Sequence, residues 1–457
     1  MNTRRFLSVF FSALVLLQLL LCPALADGDA PKKVADPAVE AKAALLVDRD
    51  SGTILYEKNK DERLYPASLT KIMTALIILE AVDSGTLSLD QQVTASASAF
   101  TGLDSAGSTA NIKTGEILTV ENLLTCMLVV SANEACNILA EALCGSVDAF
   151  VARMNQRAQE LGCQNTHFVN ATGLQDPQHY TSAWDLYLIA REALSHDEFA
   201  AICDLRQPTI PATNLSKERT LHTTNSLLDG YRATGYRYKY AHGVKTGSTS
   251  DAGHCLVSTA EKNDLRFLSV VLGADKVKTS GGGSDIKSFS ETRRLFEWGF
   301  DNFSYQTVLT AEDMLASMPV TLSETDSVAL HCTDDVSVLM PRVLTAEDLT
   351  RTIRFRSKSV EAPVSAGEQL AEVELSYEGV TYATVPLVAL TSVDASRAMV
   401  IQARIHGFFR LLPVRILCTV ILILLIALLV WKLTIGRQRY RYGKNVRRQK
   451  NYRGRRR

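Results

Sequence analysis

Histidine is sparse in this chain and nowhere arranged for chemistry. Eight occur in 457 residues, and none forms an H-E-x-x-H pair, which excludes the zinc peptidases built on that motif. The pattern G-x-S-x-G is also missing, so a Ser-His-Asp hydrolase with a nucleophile elbow is excluded. Nine cysteines include no C-x-x-C and no Cys/His group at zinc spacing, and neither a metal nor a cofactor is expected. With Cys22 assigned to a leader and Cys418 to a membrane span, there remain Cys126, Cys136, Cys144, Cys163, Cys203, Cys255 and Cys332. That odd, irregular set is not a disulfide framework. Most read as small apolar filler, with room for one bridged pair. No internal repeat is present, and no acidic residue follows Asp394.

This last absence matters because the formal net charge is zero. Twelve Lys and Arg crowd into 432–457; setting them aside with Arg4 and Arg5 leaves 35 of the 49 basic residues to face 49 acidic ones. The folded body is therefore anionic, which argues against nucleic acid as a partner. At 457 residues, 46% of them hydrophobic, the chain suffices for two or three domains with packed cores.

Both termini point to a membrane. Arg4 and Arg5, the apolar run 6–21 and the small-x-small Ala24-Leu25-Ala26 have the form of a secretory signal peptide over residues 1–26. Cys22 admits a lipoprotein leader, but the leucines before it are not small. Residues 27–40 read as a linker. The uncharged stretch 416–431 extends to 411–435 if Arg415 and Lys432 snorkel, long enough for a transmembrane helix; an interfacial or buried helix is the alternative. The basic segment 436–457 then follows the positive-inside rule. That places it in the cytoplasm beside anionic lipid, and the body outside a cell membrane.

Within the body the pattern changes near residue 303. Over 41–302, strand-like runs such as Ala43-Ala44-Leu45-Leu46-Val47 and Phe267-Leu268-Ser269-Val270-Val271-Leu272 alternate with helical periodicity at 68–83, 120–143, 147–161 and 183–194. Helices packed on an antiparallel sheet are expected, an α/β (α+β) arrangement. Over 303–400, short strands recur between turn signals, the pattern of a small all-β module.

Three short motifs carry chemistry. In Tyr65-Pro66-Ala67-Ser68-Leu69-Thr70-Lys71, a hydroxyl and an amine stand three positions apart at the start of an apolar helix, so they share a face. A lysine accepts a proton only if burial or a second positive charge depresses its pKa, and the dehydrating helix supplies the first condition. An N-cap serine followed by an exposed lysine is the bland alternative. Ser131-Ala132-Asn133 offers a second hydroxyl and an amide at a helix break, where an ordinary cap is the competing reading. Gly243-Val244-Lys245-Thr246-Gly247-Ser248 offers a cation, a hydroxyl and a glycine on an expected edge strand, where a substrate backbone could lie. Each is weak alone; their order and spacing in one exported domain are specific.

S-x-x-K, S-x-N and K-T-G in this order resemble the penicillin-recognising serine acyltransferases. More narrowly, the chain is similar to the low-molecular-mass penicillin-binding proteins that act as D-alanyl-D-alanine carboxypeptidases. The stretches Phe168-Val169-Asn170-Ala171-Thr172-Gly173-Leu174, His179-Tyr180-Thr181-Ser182-Ala183-Trp184-Asp185-Leu186 and Thr223-Thr224-Asn225-Ser226-Leu227-Leu228 match that group too. The resemblance implies a transpeptidase-like (β-lactamase-like) catalytic domain on a five-stranded antiparallel sheet with a β-sandwich behind it. It implies that Ser68 attacks the penultimate D-alanine carbonyl of a peptidoglycan stem peptide, with Lys71 as proton acceptor kept neutral by Lys245. Ser131 would relay the proton to the departing amine, and Asn133 would bind the peptide amide. Lys245 and Thr246 would face the substrate carboxylate, Gly247 would let the ligand approach closely, and the N–H groups of Ser68 and Ser248 would form the oxyanion hole. β-Lactam antibiotics should acylate Ser68 likewise.

One part departs from the family. Related enzymes often carry an arginine after the strand that follows K-T-G, whereas here no arginine follows Arg266 until Arg293. Either Lys278 or Lys287 substitutes, or carboxylate recognition is looser, which leaves D,D-endopeptidase work open. A class A β-lactamase would need a carboxylate for deacylation, and Glu141, Asp148, Glu160 and Asp176 sit in no recognisable setting for it. A non-catalytic wall-binding protein is the alternative from a different class; intact Ser68, Lys71 and Lys245 argue against it.

Overall fold

The computed structural model describes residues 32–104, 107–279 and 282–449, with side chains described through 434. The expected signal peptide, the start of the linker and the last eight residues of the basic tail lie outside the described residues. Two compact units emerge. The first runs to Gln306 and takes in Leu339–Leu344; the second holds Thr307–Val338 and the chain from Thr345 onward.

The first unit is organised by strands β1 (Ala43–Asp48), β2 (Ile54–Lys58), β3 (Ala241–Thr249), β4 (Gly253–Lys262) and β5 (Leu265–Ala274), in the order β2-β1-β5-β4-β3. Every pairing is antiparallel. The run Ala-Ala-Leu-Leu-Val-Asp of β1 is buried throughout because the sheet is covered on both faces. Ala43, Leu45 and Val47 enter one core while Ala44 and Leu46 enter the other, the period-2 alternation of a strand between two apolar layers. Helix α6 (Lys287–Asn302) covers the second face with Leu295, Phe296 and Phe300; the Phe300 ring stacks on Phe267 at 4.7 Å.

The first face is covered by α1 (Lys71–Asp83), α2 (Val120–Val129), α3 (Asn133–Cys144), α4 (Val147–Glu160) and α5 (Ala183–Ala193). Ten of the 13 residues of α1 are buried, and they do not form a stripe. A helix apolar on all sides must run through the middle of a core, so α1 carries its first residue, Lys71, into the interior. Truncating one of its contacts, Leu76→Ala, is expected to lose about 2–5 kcal/mol. Three differences from the periodicity stand out. Helix α1 begins at Lys71 rather than Ser68, the expected helix 120–143 is broken between α2 and α3, and Ser131 in that break holds a left-handed φ of 65°.

The second unit is all-β before its C-terminal helices. Its six-stranded sheet is built from β6 (Ala316–Thr321), β7 (Ser327–His331), β8 (Thr350–Phe355), β9 (Val360–Glu361), β10 (Gln369–Tyr377) and β11 (Val380–Ala389), in the order β8-β10-β11-β7-β6-β9. Met318, Val328, Leu330, Val373, Leu375 and Leu387 are buried and form its interior. Helices α7 (Arg397–Arg410) and α8 (Leu412–Gln449) follow, and the stretch Leu412–Thr434 of α8 is long and apolar enough to cross a membrane.

Candidate active site

Ser68 sits in a 3₁₀ turn, Ala67–Thr70, directly ahead of α1. At three residues per turn, positions i and i+3 eclipse, which stacks the serine hydroxyl over the first residue of the helix. Lys71 Nζ accordingly lies 3.0 Å from Ser68 Oγ. Ser68 is half-buried between the buried Ala67 and Leu69, so the nucleophile alone of this turn reaches the cleft.

Lys71 is fully buried and has three polar neighbours: Ser68 Oγ, Asn133 Oδ1 at 2.8 Å and the main-chain oxygen of Thr172 at 2.6 Å. Burial pushes its pKa below the ordinary lysine value, opposed by the more distant Cys136 and Glu134. The two carbonyl oxygens can only accept. A neutral amine therefore donates its two hydrogens to them and turns its lone pair toward the Ser68 hydroxyl. Such an arrangement could serve a general base set beside a hydroxyl.

Asn133 begins α3, and its N–H donates to Ser108 O at 2.9 Å. Because Lys71 occupies its Oδ1, the Nδ2 group is the part left to meet a ligand. Ser131 is buried two residues earlier, and its Oγ bonds to no group among the described residues.

Strand β3 lies at the sheet edge and carries Lys245, Thr246, Gly247 and Ser248. Lys245 is buried and donates to Thr246 O at 2.9 Å; burial, with Lys71 nearby as the next cause, brings it down to about 7. Burial thus depresses both amines, and at Lys245 the charge of Lys71 adds to it. Thr246 Oγ1 donates to Thr224 Oγ1 at 2.6 Å, and Ser248 is exposed. Gly247 has a further use beside the one expected: a Cβ there would stand 2.8 Å from Pro66 O and 3.2 Å from Ser68 N. It lets β3 close on the Ser68 turn itself, independent of any ligand.

Several supporting residues lie outside the three short motifs. Asn170 Oδ1 accepts from Thr172 N at 3.1 Å and Gly173 N at 2.7 Å, shaping the loop that aims Thr172 O at Lys71. Gly173, at φ 84°, is required because a Cβ would lie 1.8 Å from Ala67 O. His179 receives Val169 N–H at Nδ1 (3.2 Å), so Nε2 carries the proton and donates to Thr70 Oγ1 at 2.8 Å; Thr70 donates onward to Ala67 O at 2.9 Å. Buried Glu134 accepts from Thr109 Oγ1 (2.6 Å) and Ala110 N (2.8 Å), fastening the loop beside Asn133. The last two carry a weak signal, a polar residue inside an apolar or motif-bearing stretch.

The remaining expectations can be placed too. Glu141 accepts from Ser96, Glu160 pairs with Arg157 at 3.5 Å, and neither they nor Asp148 or Asp176 bond to Ser68 or Lys71. Lys287 is held by Glu40 at 2.9 Å and Asp285 at 3.3 Å, and Lys278 lies exposed on the two-stranded hairpin Lys276–Lys278. The described cysteines are all free; Cys126, Cys136, Cys203, Cys255 and Cys332 are buried, so the room for one bridge is unused. Among the described residues no group of three His, Cys, Asp or Glu side chains is arranged to hold a metal.

Comparison with known proteins gives the family. Residues 30–276 match the family model described as D-alanyl-D-alanine carboxypeptidase, and 303–395 match that of the penicillin-binding protein 5 C-terminal domain. The chain is 31% identical to the D-alanyl-D-alanine carboxypeptidase DacF of Bacillus subtilis, over 78% of this chain and 87% of the relative. It is 30% identical to DacC of Escherichia coli, over 80% and 87%. Among solved structures it resembles penicillin-binding protein 5 of Haemophilus influenzae (TM-score 0.61, 29% identity, covering 79% of this chain and 100% of that one). It also resembles the carboxypeptidase DacD of Francisella tularensis (TM-score 0.62, 27% identity, 81% and 98%).

Proposed function

The chain belongs to the D-alanyl-D-alanine carboxypeptidase family of penicillin-binding proteins, and from that premise we propose that Ser68, Lys71 and Ser131 perform the acyl transfer while Asn133, Lys245, Thr246, Gly247 and Ser248 form the substrate cleft. The activity is hydrolysis of the terminal D-alanine of peptidoglycan stem peptides, and β-lactams fit the same chemistry. The observation that carries the residue assignment is the three-point setting of Lys71 Nζ on Ser68 Oγ, Asn133 Oδ1 and Thr172 O.

In the first step Lys71 Nζ takes the Ser68 hydroxyl proton as Oγ bonds to the penultimate carbonyl carbon. The N–H groups of Ser68 and Ser248 stabilise the oxyanion on the edge of β3. Collapse breaks the C–N bond; Ser131 passes a proton to the departing D-alanine amine, and Lys71 makes good that proton. Water then attacks the Ser68 ester, with Lys71 again the base. A β-lactam follows the first step, but its leaving nitrogen stays tethered and the ester persists. Mass spectrometry of a pentapeptide ending in D-Ala-D-Ala tests this. Wild type should release one alanine and Ser68→Ala none; release by the variant would remove Ser68 from the mechanism.

The second part of the reading concerns location. Residues 1–26 direct export, 41–302 form the peptidase and 303–400 a β-sandwich domain, 411–435 span the membrane once, and 436–457 lie in the cytoplasm on anionic lipid. The apolar stretch Leu412–Thr434 supports the span, and the basic residues after it support the orientation. Protease added to intact cells should destroy the penicillin-labelled body and spare an epitope after residue 436; loss of that epitope would reverse the topology.

A further inference from the structure

Outside the catalytic cleft, the first unit gathers positive charge at a second place. An open pocket of about 420 Å³ is formed by the loop 109–113, the segment 216–222 and the loop at 231–232. It is lined by none of the residues assigned to acyl transfer or to the substrate cleft. Lys113, Lys217, Arg219 and Arg232 line it with His222, and among the described residues no Asp or Glu does. Four basic residues on one wall are out of character for a body with more acids than bases.

The fold compensates only part of this charge. Buried Glu116 accepts from Arg219 and Thr213 Oγ1, and Lys113 Nζ donates to Leu215 O at 3.2 Å. Lys217 and Arg232 are exposed and meet no carboxylate among the described residues. Arg219 Nη1 donates to Ala110 O at 2.8 Å, but its Nε is buried with no hydrogen-bond partner among the described residues. His222 Nδ1 is in the same condition. Buried polar atoms are normally paired, and a ligand rich in acceptors would meet the guanidinium N–H.

The chemistry of the wall selects among anions. A carboxylate holds two oxygens in one plane and is served by a single guanidinium. Here the donors come from separate segments: Lys217 and Arg219, the hydroxyls of Ser216 and Thr220, and Arg232 from the loop beyond. A phosphate spreads its oxygens tetrahedrally and suits donors that converge from several sides. The pocket is also larger than a phosphate group, which leaves room for the units it joins. Tyr231 lines it too, with one ring face stacked on His222 at 3.6 Å and 6°. The residue is nonetheless 66% exposed, so the other face is open to the C–H face of a sugar or polyol.

We propose that this pocket docks a phosphodiester-linked polyol or sugar polymer, with Lys217 and Arg232 on a phosphate and Tyr231 against an adjoining unit. The site stands apart from the acyl transfer and does not depend on it. It gives an anionic body a place to hold a polyanion that the rest of its surface repels.

The test uses full-length enzyme in non-ionic detergent and a fluorescent glycerol-phosphate oligomer. Wild type should bind the oligomer, and rising salt should weaken the complex because exposed charges are screened. Lys217→Gln and Arg232→Gln should each raise the Kd about 10- to 100-fold, the range for a charged hydrogen-bonded contact, with the thermal midpoint unchanged. Arg356→Gln with Lys358→Gln, which removes two exposed cations of the second unit, should leave binding as it was. Equal losses from both sets of variants would show diffuse attraction and overturn the pocket. Polyglutamate bound as tightly as the oligomer would overturn the choice of phosphate. Inorganic phosphate bound as tightly would overturn the polymer, and so would competition by phosphatidylglycerol micelles at equal phosphate, which would assign the site to a lipid headgroup. A wild type that binds no oligomer overturns the inference outright, whether or not it releases D-alanine.

Discussion

Lys71 Nζ meets the main-chain oxygen of Thr172 at 2.6 Å, so a neutral carbonyl stands where a carboxylate would hold the amine charged. An acid in contact would raise the lysine pKa, whereas a carbonyl accepts a hydrogen bond without fixing a proton. Burial is then free to favour the neutral amine, and the base is made by what is absent from its surroundings. Replacement by Met, close in length and uncharged, should slow acylation by penicillin about 10²–10⁴-fold, the usual share of a general base. Because the substitution leaves the buried Asn133 Oδ1 and Thr172 O without their donor, the thermal midpoint should also fall. Stopped-flow labelling and calorimetry measure the two; labelling at the wild-type rate would discard Lys71 as the base.

Thr172 acts through its backbone, so its contribution must be tested through the loop's shape. Gly173→Ala places a Cβ 1.8 Å from Ala67 O at a φ of 84°. Strain of about 1–3 kcal/mol is expected from such a backbone position, with more from the clash. The loop 170–174 must then shift, taking Thr172 O away from Lys71. Penicillin acylation should fall at least about tenfold, with a lower thermal midpoint. Full activity in a destabilised variant would show that Thr172 O is dispensable.

The pH dependence of acylation follows from two buried amines. Lys71 works only when neutral, so the rate rises with pH as it loses its proton. Lys245 titrates at about 7; above that value the edge strand loses its positive charge for the penicillin carboxylate, and the rate declines. A bell is expected for the second-order rate constant with penicillin. Lys245→Arg keeps the charge and should remove the alkaline limb while leaving the acid limb in place. An alkaline limb that survives this substitution would assign it to another group.

How much of this was legible follows from where each feature resides. Ser68 and Lys71 were readable because their relation is local, three residues on one turn, and the apolar run after them announced burial. The continuous run of β1 announced a strand, whereas the covering of its sheet on both faces emerges only from the packing of α6 opposite the other helices. The 3₁₀ geometry of the Ser68 turn was not readable, since it depends on Gly247 of a distant strand closing on Pro66 and Ser68. Thr172 is a main-chain contact, which side-chain identity does not encode. Lys287 looked available because its acidic neighbours Glu40 and Asp285 converge only on folding.

His179 should link stability to pH. Burial lowers it from 6.5 to about 4, and its neutral ring holds Val169 N to Thr70 Oγ1 behind the Ser68 turn. Unfolded, the ring binds a proton near 6.5. Between these values the unfolded chain holds more protons, so stability is full above about 6.5 and is lost as pH falls toward 4. The whole contribution is about 3 kcal/mol, at about 1.4 kcal/mol per unit of pKa difference. Carboxylates add their own slope at the acid end, so the comparison must be with His179→Gln, which keeps them all. That variant should be less stable at pH 7, having lost the bridge, yet flatter between pH 6.5 and 4 in urea unfolding of the catalytic unit. Parallel curves for the two proteins would show that His179 stays protonated in the fold, and would remove the Thr70 bridge as the support of the nucleophile turn.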